Sequence, residues 1–237
     1  MTLKECLIAL EKAGTAQNRK IYARHGVSAE MFGVSYAELE RLKKQIRTDD
    51  ALAEGLWQTG NHDARVLATK IADPKTATIA RLNRWAKQCD DSPLISAFAG
   101  YVSHTPWAKG RAKLWIKSKQ DAIRSIGWTV VSCLATNLVS VTNASETVPW
   151  MAELLVQIEA EIGEASNQAR RCQHNALIAI GCHEQSLRTL AIAAARRIGT
   201  VEIDHGETGC KTPDAVAYIE KTWAYREKTG RPARRRC

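Results

Sequence analysis

Residues 105–120 read TPWAKGRAKLWIKSKQ and carry five cations, Lys109, Arg111, Lys113, Lys117 and Lys119, with no acid. On a helix Lys109, Lys113 and Lys117 fall at i, i+4 and i+8, so they form one stripe. Neighbouring lysines on such a stripe repel by roughly a few tenths of a kcal/mol per pair. A stripe that costs stability points to an anionic partner. Lys and Arg contacts to phosphate supply most of the affinity for duplex nucleic acid. Trp107 and Trp115 are interleaved with these cations and offer flat rings for stacking. The competing reading is a solvated cationic face with Trp115 in the core. Arg81 and Arg84 lie three residues apart on the segment that carries Trp85. Arg124, Arg170, Arg171, Arg188, Arg196 and Arg197 follow on later segments. Arg196 and Arg197 stand just before Gly199, where cations complement a helix C-terminus.

Other chemistries are poorly supported. No phosphate-binding glycine loop, H-E-x-x-H or G-x-S-x-G occurs. Cys172, His174, Cys182, His183, Asp204, His205 and Cys210 gather in the last third. Their types suit zinc, but C-x-H and an adjacent Cys-His pair are not a standard ligand spacing. Neither a metal nor a cofactor is expected. Cys172 and Cys182 read as small buried hydrophobes. Seven scattered cysteines, an odd number, indicate reduced thiols and a cytoplasmic chain. The sequon Asn143-Ala144-Ser145 has no meaning there.

The elements that must position these residues are helical. The chain has 237 residues, 45% of them apolar. That is enough for a sizeable core without a disulfide or metal staple. No apolar run is long enough to span a membrane, and the N-terminus reads as an amphipathic helix. Leu3, Leu7, Ile8 and Leu10 give a first helix ending at Gly14. A second covers Asn18–Ala23. Ser35 opens a third, with Glu38 completing a capping-box pattern. Asp49 and Asp50 start a fourth through Trp57, ended by Gly60. Asn61 caps a fifth, closed by Asp73-Pro74. Helices then follow at 75–89, 94–104, 106–118, 120–136, 147–162, 166–181, 184–198 and 213–224. Residues 199–212 are non-helical, with Thr200–Ile203 a candidate extended segment.

One internal repeat is visible. LWQTGNHDAR (56–65) and LWIKSKQDAIR (114–124) share Leu-Trp, then Asp-Ala after the same gap, then Arg. In each, a Trp-bearing helix ends and an Asp-started helix begins. Repeats of this kind indicate an all-α fold, an α-solenoid of HEAT-like antiparallel helical pairs with a concave face.

Phe32-Gly33-Val34, Leu56-Trp57 and Asp63-Ala64-Arg65 carry a further resemblance. With the segments FGVSYAELERLKKQI (32–46), LAEGLWQTGNHDARVLATKIADP (52–74), the Trp85 helix and LISAFAGYVSHTPWAKGRAKLW (94–115), the chain resembles the bacterial DNA alkylation repair family. These are the HEAT-like-repeat alkylpurine DNA glycosylases. The resemblance implies a basic concave groove that cradles double-stranded DNA, alkylated or distorted. It implies excision of N3- or N7-alkylated purines by hydrolysis of the N-glycosidic bond. The cationic base is already an activated leaving group. Such an enzyme needs mainly a carboxylate and tryptophan faces to stabilise an oxocarbenium-like sugar. The DNA-binding residues so implied are Arg65, Arg81, Arg84, Trp85, Lys109, Arg111, Lys113, Trp115, Lys117 and Arg124.

The sequence departs from that pattern at the chemistry. Ser96 falls where the family has its catalytic Asp. Ser92 falls where a Trp precedes it, and the later family Trp falls near Cys182. The paired arginines are reduced to Arg124-Ser125. A one-turn shift of the alignment makes Asp90 or Asp91 the candidate acid. The alternative function is therefore a non-catalytic HEAT-like protein that recognises distorted or branched DNA. A helical scaffold for an acidic protein is a third reading.

The formal net charge of +9 is uneven. Residues 221–237 hold seven Lys/Arg and one Glu, a net of +6, which leaves +3 for residues 1–220. The expected organisation is one domain over 1–224 with a flexible basic tail over 225–237. A monomer located in the bacterial cytoplasm and associated with the nucleoid is expected.

Overall fold

In the computed structural model the described residues are 1–137, 144–183 and 185–230. They form thirteen α-helices, one 3-10 turn and no strand. The helices are α1 (Leu3–Ala13), α2 (Ala16–Arg24), α3 (Tyr36–Ile46), α4 (Asp50–Gln58), α5 (His62–Ile71), α6 (Ile79–Ala86) and α7 (Ser92–Ser103). There follow α8 (Ala108–Trp115), α9 (Asp121–Asn137), α10 (Ala144–Glu161), α11 (Asn167–Gly181), α12 (Gln185–Ile198) and α13 (Ala215–Thr229). The sequon and the basic tail beyond residue 230 lie outside the described residues.

Side-chain caps fix most of these starts. Ser35, Asp49, Asn61, Asp91, Ser166 and Asp214 each accept a backbone N–H from the first turn of the helix they precede. Such caps satisfy amides that the helix itself leaves unpaired. The box at Ser35 is only half made. Ser35 Oγ accepts from Glu38 N, but the Glu38 carboxylate turns to Arg41 Nε at 2.7 Å. Thr2 and Glu5 form a complete box instead.

The expected helix over 75–89 is broken. Pro74–Thr76 forms a 3-10 turn, and α6 restarts where Thr78 caps Arg81 N. Thr200–Ile203 is not a strand, and Thr129–Val131 lie within α9. The expected boundary at residue 225 falls inside α13, which runs on until Gly230 ends it in the left-handed conformation.

The described residues group into two compact units. The first takes residues 1–130 with 206–209; the second takes the rest. In the first, α5 packs against α1, α3, α4 and α7. That central place explains why eight of its ten residues are buried. Trp57 and Trp85 stack with ring centroids 4.1 Å apart, and Phe98 lies 5.9 Å from Trp57. These rings join α4, α6 and α7 and dominate the burial there. α8 packs on α7. Gly127 in α9 meets the end of α8, where a Cβ would lie 2.6 Å from Ile116 N, so only glycine permits that approach. In the second unit α11 and α12 pack on each other and on α10 and α13.

Candidate nucleic-acid interface

The phase of α8 separates core from surface. Ala108, Ala112 and Trp115 lie at i, i+4 and i+7 and are buried. Lys109 and Lys113 stand one residue on from that face, Lys109 half-buried and Lys113 exposed. The helix ends at Trp115, so Lys117 sits in the following turn and does not extend the stripe by a third helical place. Lys117 and Lys119 are exposed there. Arg111 is half-buried, and its guanidinium donates to Asn83 Oδ1 at 3.4 Å. No acid lies in the first turn of α8, and no side chain caps its N-terminus. Cations here stand near the positive end of the helix dipole, an end that also favours an anion.

Two tryptophans expected at the interface belong to the core instead. Trp85 is fully buried against Trp57. Trp115 is 4% exposed and lies 6.1 Å from Phe98. Neither ring has a face to offer a base. Trp107 is the tryptophan that reaches solvent, at 42% exposure. Its Nε1–H donates to Ala77 O at 2.8 Å. Helix phase separates the two: Trp115 continues the Ala108–Ala112 face, whereas Trp107 precedes the helix.

The arginines divide in the same way. Arg81 is an internal tie. It donates to Asp50 Oδ1 at 2.9 Å and Tyr101 Oη at 2.7 Å, and its side chain is only 12% exposed. Burial opposes ionisation of Asp50, but hydrogen bonds from the Thr76 hydroxyl, Asp73 N–H and Arg81 outweigh it and hold its carboxyl below the ordinary value. Arg65 lies over Trp57 and donates to Trp57 O and Gln88 O, near the ends of α4 and α6. Arg84 is exposed and pairs with Glu54, and the half-buried Arg124 pairs with Asp121. In the second unit Arg170 donates to Ile162, Gly163, Ala165 and Glu202 carbonyls, and Arg197 makes two bonds to Glu159.

Of the two candidate acids, Asp91 is closed to substrate. It is 4% exposed, caps α7 by accepting Leu94 N at 2.7 Å, and faces His62 Nδ1 at 3.0 Å. Asp90 is exposed, in the non-helical approach to α7. Ser96 is exposed on α7 itself, whose twelve residues, SPLISAFAGYVS, include no acid.

The histidines and cysteines of the last third serve the fold. His174 Nε2 bonds Pro213 O, and burial holds its imidazole below the ordinary pKa, favouring the neutral ring. His205 bonds Thr212, Asn167 bonds Asp204, and Cys172 is core. These bonds order the 199–212 segment. Among the described residues no three His, Cys, Asp or Glu side chains converge as a metal site. No helix among them is long and apolar enough to cross a membrane.

One architectural site was not legible in the sequence. Asp63, fully buried, accepts Phe32 N at 2.7 Å, Gly33 N at 2.9 Å and Val34 N at 2.9 Å. Gly33 has φ +79°, and a Cβ there would meet Thr15 O at 2.6 Å. The Phe-Gly-Val block and the Asp-Ala-Arg block are thus two halves of one loop clamp.

Comparison with known proteins follows the same lines. The family model described as DNA alkylation repair enzyme matches residues 5–219. An uncharacterized protein of Listeria monocytogenes is 30% identical over 221 residues, covering 91% of this chain and 93% of its own. One of Listeria innocua is 29% identical over the same length and shares. A solved structure is similar over 100% of both chains, with a TM-score of 0.88 and 26% identity. It is described as a new family of proteins related to the HEAT-like repeat DNA glycosylases with affinity for branched DNA structures.

Proposed function

The chain belongs to the DNA alkylation repair enzyme family, and from that premise we propose that it binds branched or distorted duplex DNA through the cationic α8 face and does not excise alkylated purines. The observation that carries this reading is the acid-free α7 with Ser96 exposed on it, the residue that the resemblance sets at the family's carboxylate position. Excision needs negative charge beside the developing oxocarbenium ion. A serine hydroxyl carries none, and the Asp91 carboxylate is spent on a cap and a histidine. Binding needs no such charge, and residues 105–120 supply cations for a phosphate backbone. Lys109, Arg111, Lys113 and Lys117 are the phosphate ligands of this reading, with Lys119 beside them. The solved relative's affinity for branched DNA supports it. A monomeric protein of the cytoplasm, associated with the nucleoid, belongs to the same proposal.

The test has two arms. Purified protein is incubated with duplex carrying 7-methylguanine or 3-methyladenine, and released base is measured. It is also titrated with a four-way junction and a linear duplex of equal length at fixed salt. The expected result is no released base and tighter, salt-sensitive binding of the junction. Base release that disappears in Asp90→Asn would favour the glycosylase reading, which the exposed Asp90 carboxylate keeps open. Failure to bind any DNA at low salt would sink both.

A further inference from the structure

Resting on that DNA-binding reading, we infer that Trp107 is the residue that distinguishes a branch point from intact duplex, by stacking on the base face that a branch exposes. Five of the seven tryptophans, Trp57, Trp85, Trp115, Trp128 and Trp150, are at most 6% exposed. Trp223 is half-buried with the guanidiniums of Arg188 and Arg226 on its ring, 5.4 and 5.3 Å from the centroid. Trp107 is the one exposed tryptophan, at 42%. Burying that ring in a core would have been favourable, so its exposure is a cost the fold carries.

The ring is also held in place. Its Nε1–H donates to Ala77 O, in the turn before α6, so its polar edge is fixed against the protein. A ring held before binding loses little freedom when a base stacks on it. The surroundings select the partner. The segment 105–120 has five cations and no carboxylate of its own, which draws a phosphate chain towards the ring. An intact duplex keeps its base faces stacked inside and offers the ring only backbone and groove edges. An open junction interrupts the stack and exposes the outer faces of the base pairs that flank the branch point. The lysines attract any phosphate backbone; the ring adds affinity only where a base face is bare.

The test compares wild type, Trp107→Ala and Trp107→Phe on a four-way junction and on linear duplex of equal length, at one salt concentration. Thermal unfolding establishes that each variant is folded. Base–aromatic stacking predicts that Trp107→Ala lowers the ratio of junction to duplex affinity about ten-fold. Trp107→Phe, which keeps a ring but loses the bond to Ala77, should restore most of that ratio. Junction DNA should also quench an exposed tryptophan emission that is missing from Trp107→Phe. If wild type prefers the junction and folded Trp107→Ala keeps the same ratio, this inference falls while the DNA-binding reading stands. If wild type shows no preference for the junction, the inference falls together with the reading.

Discussion

The two Leu-Trp…Asp-Ala…Arg segments, 56–65 and 114–124, have the same sequence plan and different work. Each Trp is buried at the end of one helix, and each Asp opens or immediately follows the start of the next. There the likeness stops. In the first copy Asp63 is fully buried and holds three amides of a loop about thirty residues away. Arg65 ties two helix ends. In the second copy Asp121 is 39% exposed and pairs with Arg124 one turn along its own helix. Cations surround that copy instead, at Lys113, Lys117 and Lys119. A repeat can therefore preserve packing while its polar residues separate, one copy serving the loop and the other the surface.

The shared part of the plan predicts equal damage. Trp57→Ala and Trp115→Ala should each cost about 3–5 kcal/mol in urea unfolding, the usual result of emptying a buried aromatic site. A much smaller loss at Trp115 would mean that the second ring is not core and would undo the repeat as a packing unit. The diverged part predicts unequal damage. Asp63→Asn keeps the shape but removes the charge from three hydrogen bonds, and about 2–3 kcal/mol should be lost. Asp121→Asn weakens a half-exposed i, i+3 pair with Arg124 and should cost less, about 1 kcal/mol at most. Equal losses at the two positions would erase the distinction.

The helices were largely legible because their starts are local. Ser35, Asn61 and Asp49 announce themselves by residue type followed by an apolar period, and each accepts the expected first-turn amide. Thr78 was missed as a cap because the helical pattern continued through it. The roles of Asp63 and Asp91 were hidden for a different reason. Their partners, the Phe32–Val34 amides and His62, lie 29–31 residues away. Sequence spacing carries no information about such a bond. The cationic segment was found by composition, but its geometry was overdrawn. Lys117 falls past the helix end, and of the rings offered for contact Trp115 is core while Trp107 is exposed. The first error needed the helix terminus; the second was already decidable from the Ala108–Ala112–Trp115 phase.

Function should separate the copies as cleanly as stability does. Lys109→Glu with Lys113→Glu reverses both lysines of α8. It should weaken binding of junction and duplex alike by about ten-fold or more and flatten the dependence on salt, because phosphate neutralisation is insensitive to DNA form. Thermal unfolding should show the variant folded, since a Glu–Glu pair at i, i+4 only replaces the Lys–Lys repulsion with one of similar size. Arg65→Ala should do the reverse, losing about 1 kcal/mol of stability with its helix-end bonds and leaving DNA affinity as it was. Loss of DNA affinity in folded Arg65→Ala would move the interface towards the first copy.

The smallest effect concerns pH and Asp50, which opens the helix leading to the first copy. Its carboxyl is held below its ordinary value because the bonds from Thr76, Asp73 N–H and Arg81 outweigh the effect of burial. A folded-state pKa below the unfolded one means that the native protein binds the proton less readily than the unfolded chain. The stabilisation is therefore complete above the unfolded carboxyl value of about 3.9. It drains away as pH falls through the lower folded value. Asp50→Asn should accordingly be less stable than wild type at neutral pH, and the gap should close as the solution is acidified towards that range. In the second copy Asp121 pairs with its neighbour Arg124 at 2.8 Å, with side chains 39% and 31% exposed. Asp121→Asn should leave the acid limb of the stability curve in place. A gap at Asp50 that persists unchanged into strong acid would show that its bonds do not depend on the charge. The Arg81 knot beneath the first copy would then be a matter of shape rather than of ion pairing.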